Sequence, residues 1–170
     1  MRIRRARPGD AAAIHSLIVH YAGQGILLPR TREEVRGDIP NFLVAEESDC
    51  LAGCVALDPY GGHLAEIRSL AVAPELRGSG LGGRLLDAVV KAARRRRFER
   101  IFAVTHATEF FEGKGFHHPP GGIPAEKAAR DCAHCPRAGH CRLRAVTFDL
   151  APSRALLPVI GDAAKAPLPA

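Results

Sequence analysis

The stretch "LRGSGLGGRLL", Leu76 to Leu86, constrains the fold of this chain more than any other. It follows "HLAEIRSLAVAP", which reads as a strand stopped by Pro74. It opens "LGGRLLDAVVKAARRRR", where Leu81, Leu85, Leu86, Val89, Val90 and Ala93 form one apolar helical stripe. A strand, a glycine turn and a helix in that order make an anion cradle. Backbone N–H groups converge at the helix N-terminus, and glycine leaves no Cβ in the way.

Gly78, Gly80 and Gly83 also spell G-x-G-x-x-G, the dinucleotide pattern. That fold runs straight from its first strand into the first glycine and carries an acid about 20 residues later. Here Pro74, Glu75, Leu76 and Arg77 intervene, and the next strand ends "VTHAT" with no acid. A hairpin and a third strand also precede the motif. The segment reads better as Arg77-Gly78-Ser79-Gly80-Leu81-Gly82, a cradle for a pyrophosphate with a guanidinium beside it.

The rest of the chain fits one α/β (α+β) domain over residues 1–150. "MRIRRARPGD" reads as a short strand, and Asp10 as the cap of a helix over "AAAIHSLIVHYAG". Thr31 and Glu34 stand in capping-box register before a second helix. "NFLVAEESD" and "CLAGCVALDPYGG" form a hairpin turning near Ser48-Asp49. "RIFAVTHA", the start "GFHH" and "LRAVTFDL" read as further strands, "TEFFEGKG" and "IPAEKAARDC" as short helices. The Ala/Pro-rich residues 151–170 read as a tail. No leader and no apolar run near the ~18 residues of a membrane span are apparent, so a cytoplasmic protein is expected. The net charge of +6 suits an anionic ligand.

With these residues in view, "EIRSLAVAPELRGSGLGGRLL" resembles the acetyl-coenzyme A motif of the GNAT superfamily of N-acetyltransferases. "GILLPRT", "FLVAEE", "GCVAL", "FFEGKGF" and "IPAEKAARDCAHCP" narrow the resemblance to the acetyltransferase part of N-acetylglutamate synthases of arginine biosynthesis, over roughly residues 2–150. The resemblance implies the GNAT fold, a mixed twisted sheet of six to seven strands flanked by helices. It also implies a stand-alone form, and acetyl transfer from acetyl-CoA to the α-amine of L-glutamate. Arg77, Gly78, Ser79, Gly80, Leu81 and Gly82 would hold the cofactor, and backbone amides of Leu70, Ala71 and Val72 the oxyanion.

An amine that is mostly protonated near neutral pH needs a base before it can attack a thioester. Glu66, on the strand before the glycines, is the candidate, directly or through a water. The tyrosine that many of these enzymes place four residues before the Gly-Phe pair is here Phe111. Coenzyme A thiolate would then leave unassisted or through a water. Glutamate brings two carboxylates, which calls for cations. Arg30 is the first candidate and Arg68 the second, with Cys54 and Thr105 as further pocket residues.

Cys132-x2-Cys135-x5-Cys141, with His134 and His140 inside it, has the character of a structural zinc site, although a second C-x-x-C is absent. The run "ARRRRFER" raises nucleic-acid binding, but it ends a helix, where cations suit the macrodipole, and no aromatic platform is interleaved. Nucleic acid is therefore not an expected partner, and a homodimer stays open. The alternatives are acetylation of another amine, whether another amino acid or a protein N-terminus, and a non-catalytic module binding acetyl-CoA or nucleic acid.

Overall fold

The computed structural model describes residues 1–135 and 139–150. Six strands lie side by side in sequence order: β1 (Arg2–Arg5), β2 (Phe42–Glu47), β3 (Cys50–Tyr60), β4 (Leu64–Val72), β5 (Arg100–Thr105) and β6 (Arg144–Asp149). All neighbours run antiparallel except β4 and β5. A parallel pair needs a crossover. The helix α3 (Leu81–Arg95) supplies it and buries Leu81, Leu85, Leu86 and Val89 against Val55, Ile67 and Ile101 of the sheet.

The opposite face is covered in two places. At one end α1 (Ala11–Gly23) and α2 (Arg32–Gly37) pack Ile14, Ile18, Tyr21 and Val35 onto Phe42, Val44, Cys54 and Ala56. At the other end Tyr60, Leu64 and Phe102 form a small cluster. A short helix α4 (Thr108–Glu112) follows β5. The segment "AEKAARDC" forms α5 (Ala125–Lys127), which widens into a π turn over Ala128–Cys132.

The mixed sheet flanked by helices is the expected architecture, with two local corrections. "GFHH" contributes a single bridge, His117 to Thr147, rather than a strand, because Pro119 and Pro120 follow at once. Asp10 does not cap α1 with its side chain. Its carboxylate takes hydrogen bonds from Arg4 at 2.7 and 3.0 Å and from the Arg7 amide. The Thr31–Glu34 capping box forms in both directions. The tail proposed for 151–170 lies outside the described residues.

Two irregularities of β4 open the sheet. Its register with β3 passes from Ala56↔Arg68 to Cys54↔Ala71, so Ser69 and Leu70 together face Val55. Ser69 takes up the extra length at φ +51, a left-handed conformation uncommon for a side-chain-bearing residue. Gly53 permits the close approach there, since a Cβ on it would fall 2.8 Å from the Ala71 carbonyl oxygen. On the other edge, β4 pairs with β5 only from Leu64 to Glu66. Beyond Glu66 the two strands part.

Candidate active site

A cleft of about 450 Å³ lies between the end of β4 and the N-terminus of α3. Eight of the nine residues expected at the cofactor line it: Leu70, Ala71, Val72, Arg77, Gly78, Gly80, Leu81 and Gly82. Ser79 does not. Its hydroxyl is turned back and donates to the Leu76 carbonyl at 2.6 Å. Gly78 and Gly80 hold φ +78 and +80, and a Cβ at either would meet nothing within 4 Å. They are required for chain direction, and the space above them stays open. The first-turn amides of α3 have no intrahelical carbonyl to bind, so they are free to face an anion.

The cleft has one apolar wall and one anchored wall. Phe110 and Ile26, both exposed, line it. Tyr21 of α1 donates its hydroxyl to the Val72 carbonyl at 2.6 Å and so ties α1 to the end of β4. The Arg77 guanidinium sits 5.8 Å from the Tyr21 ring centroid, at the mouth. Phe111 is buried in the core and offers no acid.

Arg30 lies against the α1–α2 side of the sheet, over Phe42 at 5.7 Å. Its side chain is 11% exposed and its Nη2 donates to Asp38. Its Nη1 is buried and has no hydrogen-bond partner among the described residues. A buried donor left unpaired is costly. Ala71, the strand partner of Cys54, lines the cleft, and Arg30 is not among the cleft residues.

Cys54 itself is wholly buried and donates its thiol to the Ser69 carbonyl at 3.4 Å. Burial pushes the thiol up to about 12, so it is neutral, and it backs the site rather than reaching into it. Thr105 accepts from the Ala107 amide at 3.0 Å, which turns the chain into α4.

Glu66 and Arg68 are not isolated groups. Cys54, Asp58 and Tyr60 alternate onto one face of β3. Asp58 stands directly opposite Glu66 across the β3–β4 ladder. Like charges in that position repel, and cations from two elements neutralise them. Lys127 of α5 donates to Glu66 Oε2 at 2.9 Å and to Asp131 Oδ2 at 2.7 Å. Arg68 donates to Asp58 at 2.8 Å and lies 3.6 Å from Glu66 Oε2. Arg130 donates to Asp58 at 2.6 Å and Asp131 at 2.9 Å. Tyr60 contacts both Glu66 Oε2 and Asp131 Oδ2. Glu66 Oε1 takes no hydrogen bond among the described residues.

Sequence reasoning singled out Glu66 and Arg68 here and missed Asp58, Tyr60, Lys127, Arg130 and Asp131. Two signals were present. Asp58 and Tyr60 share a strand face, and Lys127 and Asp131 stand at i, i+4 in a helical segment.

Cys132, Cys135 and Cys141 are free thiols, and among the described residues no group of three or more His, Cys, Asp or Glu side chains is placed to hold a metal ion. The π turn commits Asp131 to Tyr60 and Lys127. At the end of α3, Arg96 binds Asn41 and the Leu57 carbonyl, so part of the arginine run has a structural role. No helix among the described residues is long and apolar enough to cross a membrane.

The family model for the acetyltransferase (GNAT) family matches residues 21–116. An uncharacterized N-acetyltransferase of Chlorobaculum tepidum is 35% identical over 139 residues, covering 82% of this chain and 90% of its own length. An amino-acid acetyltransferase of Mycobacterium tuberculosis is 38% identical over 117 residues, 67% of each chain. Among solved structures, N-acetylglutamate synthase from Neisseria gonorrhoeae, complexed with coenzyme A and N-acetyl-glutamate, superposes with a TM-score of 0.78 at 31% identity. That match covers 89% of this chain but 35% of the synthase, so the chain spans about a third of that relative's length.

Proposed function

The chain belongs to the acetyltransferase (GNAT) family, and from that premise we propose that it transfers the acetyl group of acetyl-CoA to the α-amine of L-glutamate, the reaction that opens arginine biosynthesis. The observation that carries the choice of acceptor is the buried Nη1 of Arg30, which has no hydrogen-bond partner among the described residues. A substrate carboxylate supplies the acceptor that the fold withholds, and a charge-assisted bond to guanidinium is among the stronger ones available. The gonococcal synthase, whose complex holds N-acetyl-glutamate, supports the same acceptor, and the amino-acid acetyltransferase of M. tuberculosis supports an amino acid.

In this reading the pyrophosphate of acetyl-CoA lies on the α3 amides between Gly78 and Gly82, with Arg77 beside it. The thioester reaches the parted strands, where backbone amides of Leu70 to Val72 stabilise the oxyanion. Glu66 receives the amine proton at Oε1, directly or through a water, while Tyr60 and Lys127 anchor Oε2. The amine nitrogen forms its bond to the carbonyl carbon, and the carbon–sulfur bond breaks.

A second acceptor class is favoured by one observation. Arg68 is engaged by Asp58, Glu66 and Asp131, and the three cations Arg68, Arg130 and Lys127 balance the three carboxylates. That wall has no spare charge for a side-chain carboxylate, which suits an amino acid with a neutral side chain. The deciding experiment follows thiol release from acetyl-CoA across the amino acids. Glutamate turned over well above glutamine upholds the first reading, and equal use of the two upholds the second.

A further inference from the structure

Tyr60 has one hydroxyl hydrogen and two carboxylate neighbours. Its oxygen lies 2.9 Å from Glu66 Oε2 and 2.8 Å from Asp131 Oδ2. A phenol donates once and otherwise accepts. Both contacts become hydrogen bonds only when one of the carboxyls carries a proton of its own. With Glu66 protonated, Glu66 donates to Tyr60 and Tyr60 donates to Asp131, in one unbroken line. Glu66 is 3% exposed, whereas the Asp131 side chain is 25% exposed. The line therefore runs from the interior to water.

The chemistry requires such an exit. When an ammonium group becomes an amide, nitrogen loses two protons. The departing thiolate takes up one, and the other must reach solvent in every turnover. At 3% exposure, Glu66 meets little water that could take it directly. Its other polar neighbours cannot carry it: the Arg68 guanidinium stays protonated, and the Lys127 ammonium has no lone pair with which to accept. Lys127 instead holds both carboxylates in line, at 2.9 and 2.7 Å.

We infer that Tyr60 and Asp131 form the proton exit from Glu66, a role that rests on the reading of Glu66 as the base. The proton received at Oε1 comes to face Tyr60 when the carboxyl turns about its Cγ–Cδ bond. The Glu66 O–H bond breaks as Tyr60 accepts. The Tyr60 O–H bond breaks as Asp131 accepts, and Asp131 passes the proton to water. Tyr60 ends each cycle as the neutral phenol it began as. Burial works against ionisation of Asp131, but hydrogen bonds from Lys127, Arg130 and Tyr60 outweigh it and hold its carboxyl well below the ordinary range. Asp131 thus releases a proton readily.

Tyr60→Phe tests this, because it removes the hydroxyl and keeps the ring on Phe102 and under the Arg130 guanidinium. With acetyl-CoA and L-glutamate in dilute buffer, kcat falls by roughly 10²-fold, the low end for a lost proton-transfer group. Affinity for acetyl-CoA by calorimetry stays the same. Added imidazole, a small proton carrier, restores kcat in the variant and leaves the wild type unchanged. Asp131→Asn shows the same imidazole response and serves as the second variant if Tyr60→Phe folds poorly. Full kcat in Tyr60→Phe, or a loss that imidazole does not repair, overturns the exit. Glu66→Gln separates the two readings. Lost activity there with full activity in Tyr60→Phe discards the exit and keeps the base, whereas full activity in Glu66→Gln discards both.

Discussion

Lys127 donates to Glu66 Oε2 across 2.9 Å, and both side chains are almost wholly enclosed, at 6% and 4% exposure. The two residues lie 61 positions apart, so this ion pair fastens the α5 segment to the middle of the sheet. Removing one member of a buried pair leaves the other charge uncompensated, which costs about 3–5 kcal/mol. Lys127→Met should therefore lower stability by about that amount in urea unfolding. Lys127→Met combined with Glu66→Gln should recover a good part of it, because neither charge then remains. Equal stability of wild type and Lys127→Met would show that solvent reaches Glu66 freely.

Acid should loosen the same segment through Asp131. Its carboxyl is held well below the ordinary value of 3.8 in the folded protein. A group depressed in this way contributes stability above its unfolded value, and the contribution is lost as pH falls through the folded one. The stability curve should thus turn down below about pH 4. Asp131→Asn should flatten that part of the curve, as read from urea midpoints between pH 2 and 6.

The strand–glycine–helix unit and the capping box were legible because each is a local pattern: helical periodicity, or a side chain answering a backbone amide three residues on. The site around Glu66 was legible only in part. Its position on β4 followed from the strand, but its partners come from β3 and from a segment some sixty residues later. No local period encodes such pairing. The same limit explains Asp10, whose carboxylate prefers the Arg4 guanidinium of β1 over the amides of its own helix.

The five cysteines should divide by reactivity. Burial pushes the Cys54 thiol up to about 12, and its hydrogen is given to Ser69. The thiolate is the reactive form, so Cys54 should resist iodoacetamide at pH 8. Cys50 and Cys141 are exposed and should be alkylated first. Peptide mass spectrometry over time reads the order, and early labelling of Cys54 in native protein would show that β3 opens readily at the Ser69 kink.

Gly80→Asp should weaken acetyl-CoA binding strongly without unfolding the chain. The position is left-handed, at φ +80, and a Cβ there meets nothing within 4 Å. Aspartate tolerates that backbone better than most residues. What changes is a negative charge at the mouth of the cradle. Gly80→Asn carries the same shape without the charge and is the control. Calorimetry should show roughly 10²-fold weaker binding in the aspartate variant than in the asparagine one, the size of a reversed charge-assisted contact. Similar affinities would move the pyrophosphate away from Gly80.

Arg30 exposes the choice of substrate most directly. Its Nη2 is committed to Asp38, and its buried Nη1 has no hydrogen-bond partner among the described residues. Losing a charge-assisted bond costs about 1.5–3 kcal/mol, roughly 10–150-fold in affinity. Arg30→Ala should raise KM for glutamate by that factor and leave KM for acetyl-CoA nearly unchanged, since the cofactor cradle lies on the α3 side. Glutamine then identifies which carboxylate Arg30 holds. If it is the side-chain group, wild type prefers glutamate strongly and the variant loses the preference. If it is the α-carboxylate, both substrates weaken in proportion, and the glutamate-to-glutamine ratio is the same in both proteins. An unchanged KM for glutamate in Arg30→Ala would leave the empty donor facing something other than the acceptor, and with it the assignment of the pocket would fall.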